Sequence, residues 1–214
     1  IGIRMTYCNM ETENIRYFEE SFSIEDLEAW FQKVIEEYGK WAAWQYNWSL
    51  YRNKSIKEME FPFEYRPGQK KLVADVYRTI IRDKRLFIEA PTGVGKTIST
   101  VFPTVKAMGE GFVTKVFYLT AKTITRTVAE ETFQLLVKKG LHLKSVTITA
   151  KEKICILDKP DCNPVACPRA KGHYDRVNDA VFDLLNNENE ISRELIQKYA
   201  EKHMVCPFEM SLVV

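Results

Sequence analysis

Residues Arg85–Thr97 read RLFIEAPTGVGKT, and the reading of this stretch decides the fold. Leu86, Phe87 and Ile88 form a short apolar run of strand type. The run stops at Ala90-Pro91, the glycine-rich turn Gly93-Val94-Gly95-Lys96-Thr97 follows, and Ile98 to Met108 continue with helical character. Strand, glycine loop, lysine, hydroxyl and helix in that order are the parts of a phosphate-binding loop. The glycines let backbone N–H groups close around a phosphate, and the following helix turns its positive end toward it. Lys96 is placed to reach the β- and γ-phosphates, and Thr97 to offer its hydroxyl to Mg²⁺. Thr92, Gly93, Val94 and Gly95 supply the cradle. Ala90 stands where the usual first glycine would, a minor departure, because Gly93 and Gly95 hold the positions of closest backbone approach. A surface turn that merely contains Gly-Val-Gly-Lys lacks the flanking strand and helix.

Working outward, residues 61–69, FPFEYRPGQ, form a proline-containing linker, and a helix is expected from Gln69 to Arg82 with Leu72, Val76 and Ile80 on one face. A glutamine amide both donates and accepts, so Gln69 can read an adenine edge and select ATP, with Tyr65 or the aliphatic part of Arg66 against the ring. Beyond the loop, Lys115–Thr120 (KVFYLT) reads as a second strand, Lys122–Lys139 as its helix ended by Gly140, and Ser145–Thr149 as a third strand. Alternating strands and helices predict a parallel sheet with right-handed crossovers, a partial RecA-like α/β layer over 61–150. Loops after strand ends line the ligand crevice of such a sheet. The hydroxyls and cations of Thr120–Arg126 (TAKTITR) therefore suit nucleic-acid phosphates, although an ordinary capped helix start explains them equally well.

The pattern changes after Ala150. Cys155, Cys162, Cys167 and Cys206 have the spacing C-x6-C-x4-C-x38-C, with Pro168 and Pro207 directly after two of them. Helices are expected near 174–185 and 191–202, with no strand, so 151–214 reads as a helical insertion. Four thiolates suit a [4Fe–4S] cluster or a structural Zn²⁺, and the absence of tight CxxC pairs leans toward iron–sulfur. The alternative, buried free cysteines, fits poorly with the polar, proline-rich run KPDCNPVACPRAKGHYDR. His173 reads as a solvated or capping residue rather than a ligand.

Before the linker, Ile1–Cys8 and Tyr17–Phe22 suggest a hairpin around Met10–Asn14, and Ser21 or Ser23 a helix cap. From Ile24, Leu27, Trp30, Phe31, Val34, Ile35 and Tyr38 recur at helical steps, continuing through Trp41, Trp44 and Trp48 to about Lys54, with Gly39 a potential break. Such a stripe is better read as packing surface than as base-stacking surface. Residues 1–60 form an N-terminal extension.

The whole chain fits these parts. Its 214 residues are 45% hydrophobic, enough for a core, and the net charge of +2 is too small to announce nucleic acid by itself. No apolar run reaches the ~18 residues of a membrane span. The five cysteines, with no signal peptide, point to a reducing, cytoplasmic setting. The first residue is not methionine, and the opening reads like the interior of a longer protein.

YRPGQ, APTGVGKT, TAKTITR and four late cysteines ending in CPFE together resemble the DinG/XPD-like iron–sulfur helicases of superfamily 2. The resemblance covers about Phe61 to the end. It implies a first RecA-like domain interrupted by a cluster-bearing insertion, and ATP-driven 5′-to-3′ translocation on single-stranded or forked DNA by a monomer. Arg66 and Gln69 then match the adenine motif, and Gly93, Gly95, Lys96 and Thr97 the first nucleotide motif. Thr120, Lys122 and Thr123 fall where the family meets DNA, and Cys155, Cys162, Cys167 and Cys206 match the cluster ligands. Residues 1–55 resemble, more faintly, the closing hairpin and helix of a nuclease-like domain, without its acidic motif. The family's Asp-Glu-x-His box does not follow Thr97, so the chain is expected to bind nucleotide weakly at best and hydrolyse almost none. Two other readings stay open: a zinc-stabilised nucleic-acid-binding module with a non-hydrolytic loop, and a small-molecule kinase or related phosphate-loop enzyme.

Overall fold

The computed structural model describes residues 1–121 and 123–214, with Thr123 described by its backbone alone. The chain is mixed α/β and mainly helical, and it divides into two compact units, Ile1–Trp48 and Ser49–Val214.

In the first unit, β1 (Gly2–Cys8) and β2 (Ile15–Ser21) pair antiparallel, from Gly2 opposite Ser21 to Cys8 opposite Ile15. The side chain of Asn9 closes the turn by accepting from Glu11 N–H at 2.9 Å and Thr12 N–H at 3.1 Å. Arg4 and Glu19, directly opposite in the ladder, form an ion pair. Ser23 caps α1 (Ile24–Glu58): its Oγ accepts from Asp26 N–H while Asp26 Oδ2 accepts from Ser23 N–H, both at 3.1 Å. The helix passes through Gly39 without a break and ends four residues later than the periodicity suggested. Trp44 and Trp48 stack, one turn apart. No residue of 1–48 is fully buried, so within this unit the aromatic stripe encloses no core.

The unit boundary falls within α1, twelve residues before the one at 60 read from the sequence. The end of α1 belongs to the second unit's core for a physical reason: Ile56 is 1% exposed, and it packs with Met59 against α3 (Lys96–Gly109). Lys106 donates to the carbonyls of Ile56 at 2.7 Å and Lys57 at 3.1 Å, satisfying the helix terminus. Ile98, Val101, Phe102, Val105 and Met108 of α3 share that core with Leu136 of α4 (Thr123–Lys138) and with Leu141. Gly140, at φ 102°, ends α4 as its sequence position implies. α2 (Gln69–Ile81) lies in the core's second shell, with Val73 against the cluster.

The sheet departs from expectation. Segments 86–88 and 115–120 have no ladder partner among the described residues, and the third strand is reduced to β3 (Ser145–Val146). Apolar composition favours an extended chain, but a strand exists only where a neighbour completes its hydrogen bonds. Exposure along both segments still alternates: Leu86 40%, Phe87 92%, Ile88 39%, then Val116 43%, Phe117 75%, Tyr118 40%, Leu119 88%. That period of two is what an extended chain with one covered face produces.

The cysteine-bearing part is α5 (Lys151–Ile154), α6 (His173–Asn187), β4 (Glu190–Ile191), α7 (Arg193–Lys202) and α8 (Pro207–Val213). It contains a strand that the sequence did not disclose: β4 pairs parallel with β3, Ser145 opposite Glu190. Lys144 reinforces the junction by donating to Glu188 O at 2.8 Å and Asn189 Oδ1 at 3.0 Å, and burial pushes its pKa down to about 8. Residues 151–214 are thus laced to the preceding α/β part, and 49–214 is one compact unit.

A methyl group on Gly109 would lie 2.4 Å from Ile56 Cγ2 and 2.8 Å from its Cβ. Gly109→Ala is expected to destabilise the chain by about 1–3 kcal/mol in urea unfolding, overpacking outweighing alanine's helix preference. Combined with Ile56→Ala, the cost should fall short of the sum of the two single costs.

Candidate functional site

The phosphate loop precedes the first turn of α3. Gly95 caps that helix at φ 77°, and Gly93 stands at φ 81°, a region a side chain would strain. The loop's carbonyls are claimed from within. Lys96 Nζ donates to Ala90 O at 2.9 Å and Pro91 O at 2.8 Å. The guanidinium of Arg66 donates to Gly93 O, and Gln69 Nε2 to Val94 O at 3.3 Å. Gln69 Oε1 meanwhile accepts from Arg66 N–H at 3.1 Å. Gln69 is only 5% exposed, and its Nε2 lies 2.6 Å from where a Cβ on Gly95 would be. Glycine is needed there to admit the amide. Thr97 is half-buried in the helix's first turn, and Thr92 is exposed. Two residues read as adenine contacts are therefore bonded to the loop itself, a role that spacing alone could not reveal. Tyr65 stacks on Phe61 at 4.3 Å and 11°, and Phe61 meets Phe102 of α3 edge-on at 5.2 Å.

The second constellation is sulfur. Cys155, Cys162, Cys167 and Cys206 all line one cavity of about 190 Å³, with Lys151, Asp161 and His173 among the other walls. Four chain segments separated by up to 51 residues (155 to 206) thus converge on one space. Three of the four cysteines are set by local devices. Cys155 ends α5, with its N–H on Lys151 O at 2.9 Å. Cys167 closes the turn that begins at Asn163, its N–H on Asn163 O at 2.8 Å. Cys206 is the N-cap residue of α8, directly before Pro207 at its start. Arg176 ties the preceding turn to α6 by donating to His203 O at 3.2 Å and Met204 O at 2.7 Å. All four cysteines are free thiols. Burial pushes the Cys206 thiol up, while a hydrogen bond to Cys162 raises the Lys151 ammonium. Among the described residues, no three Cys, His, Asp or Glu side chains are gathered tightly enough to hold a metal ion.

Of the two readings of His173, solvated or capping, the structure excludes the first. The residue is 4% exposed, and its Nδ1 accepts from Cys206 N–H at 3.2 Å. Its neutral form is required there, and burial pushes its pKa down.

Of the residues read as nucleic-acid contacts, Thr120 is half-buried and Thr123 opens α4. Lys122 lies outside the described residues. No helix among the described residues is long and apolar enough to cross a membrane. Compared with protein-family models, curated proteins and solved structures, the chain gives no match.

His173→Ala should cost about 1–3 kcal/mol in urea unfolding, because Cys206 N–H is left without its acceptor, and His173→Asn should recover part of it. The pH dependence has a definite sign. The unfolded chain takes up the histidine proton near pH ~6.5, before the folded chain does, so this residue's contribution falls on acidification below that point. The wild type should lose stability there relative to His173→Asn.

Proposed function

We propose that this chain is the nucleotide-binding and cluster-bearing module of an ATP-driven DNA helicase of the DinG/XPD-like type, its loop and helices forming part of a RecA-like layer. The observation that carries the reading is the convergence of Cys155, Cys162, Cys167 and Cys206 on one cavity, in the same compact unit as the glycine loop at the start of α3.

The donor set fits a cluster better than a single ion. Zn–S bonds of about 2.3 Å hold tetrahedral sulfurs about 3.8 Å apart, around a point. Here four cysteines line one cavity, and among the described residues no three ligand side chains gather at a point. When bound, a [4Fe–4S] core would cross-link the four segments and draw the thiols into their ionised form, against the upward push of burial on Cys206. Lys151 offsets the resulting negative charge at Cys162.

At the loop, the ammonium of Lys96 exchanges the carbonyls of Ala90 and Pro91 for β- and γ-phosphate oxygens. The Thr97 hydroxyl would hold Mg²⁺, and the first N–H groups of α3 would donate to the phosphates. Charge is divided along the chain in a way that suits DNA. Residues 1–48 carry nine acidic and four basic side chains, net −5, which leaves 20 acidic and 27 basic, net +7, for 49–214. The basic unit matches a phosphate backbone, and the acidic one argues against base stacking on the tryptophans of α1. No Asp-Glu-x-His sequence follows Thr97, so this chain binds the nucleotide without polarising a water for attack.

Anaerobically purified chain is expected to contain about four irons and no stoichiometric zinc, with the iron lost on Cys→Ser replacement at 155, 162, 167 or 206. ATP binding should disappear in Lys96→Ala, and ATP turnover by the chain should stay at background with or without single-stranded DNA. One zinc per chain, or ATP binding indifferent to Lys96, would contradict the reading.

A further inference from the structure

The arrangement around Gln69 bears on which nucleotide the loop accepts, and this inference rests on the phosphate-loop reading above. A glutamine that selects adenine must present its amide edge to the base. Gln69 presents it to the loop instead: Nε2 to Val94 O, Oε1 to Arg66 N–H, with 5% of the residue left exposed. Arg66, its neighbour in YRPGQ, has its guanidinium on Gly93 O. Both residues thus fix loop carbonyls. A loop held through its carbonyls has its N–H groups left to offer to phosphate, which serves any triphosphate equally.

One surface nearby suits a base without reading it. Tyr65, directly before Arg66, has one ring face on Phe61 and is 41% exposed. Phe61 is in turn braced edge-on by Phe102, inside α3. Phe102, Phe61 and Tyr65 therefore form an aromatic series running out from α3, and its last residue reaches solvent. Stacking on an aromatic ring tolerates every base, because every base has a π-face. We propose that the site takes nucleoside triphosphates with little regard to the base, Gln69 and Arg66 acting as positioning residues for the phosphate loop and Tyr65 as the platform on which the base stacks.

The test is equilibrium binding of ATP, GTP and inorganic tripolyphosphate to the 214-residue chain. ATP and GTP should bind within about threefold of each other. Tyr65→Ala should weaken both by about tenfold and leave tripolyphosphate unchanged, while Tyr65→Phe retains wild-type values. Arg66→Met should weaken all three ligands by a common factor, with Arg66→Lys, which still donates to Gly93 O, recovering most of it. A preference for ATP above tenfold that vanishes in Gln69→Ala would overturn the proposal. So would Tyr65→Ala leaving both nucleotides unaffected, or tripolyphosphate binding as tightly as the nucleotides. If none of the three binds, the phosphate-loop reading itself fails and takes this one with it. The wild-type ATP-to-GTP ratio decides the matter even where a variant does not fold.

Discussion

The burial of α3 is the constraint on which residues 49–214 depend. Ile98, Val101, Phe102, Val105 and Met108 are all below 9% exposed, and the segments around them meet through that helix. Its buried flank collects the end of α1, the middle of α4 and Leu141. Its last residue must be glycine because Ile56 lies against it. Its first turn holds Lys96 and Thr97, so the orientation of the glycine loop before it is inherited from core packing. Immobilising a loop in an unusual backbone conformation costs free energy, and here the core on one side and the Arg66 and Gln69 bonds on the other offset it.

Helices and caps were largely legible in the sequence because their signals are local. The 3.6-residue periodicity of α1, α2 and α4, the Ser23–Asp26 box and the glycine after α4 all act within a turn or two of themselves. The sheet was less legible, since a ladder depends on what lies alongside. LFI at 86–88 and VFYL at 116–119 have strand composition and alternating exposure yet no paired neighbour among the described residues. In contrast, Glu190–Ile191, with nothing in its composition to mark it, became a strand because β3 lies beside it. The unit division inside α1 was illegible for the same reason, since Ile56 finds its packing partner in α3, far along the chain.

At the candidate sites, the residue types and their spacing were readable and the individual contacts were not. Glycine, lysine and threonine at fixed spacing can be read as a phosphate loop with little reference to the rest of the chain. The four cysteines announce themselves by type and by their polar, proline-rich surroundings, but the space they share is created by α5, α6 and α8 meeting. Gln69 shows the limit most clearly. Its residue type and position allow an adenine contact, and only the missing Cβ of Gly95 explains why the amide lies under the loop. His173 was likewise read as solvated or capping, because nothing in HYDR signals that Cys206, 33 residues later, donates to its ring.

The central claim is that four thiols distant in sequence form one cage within the unit that carries the phosphate loop. Iron-edge anomalous diffraction from crystals of the anaerobically prepared chain tests it most directly. The account predicts one compact iron density in bonding contact with Sγ of Cys155, Cys162, Cys167 and Cys206 together. An iron peak held by other residues, or fully loaded protein with any of these sulfurs directed away from the metal, would contradict it.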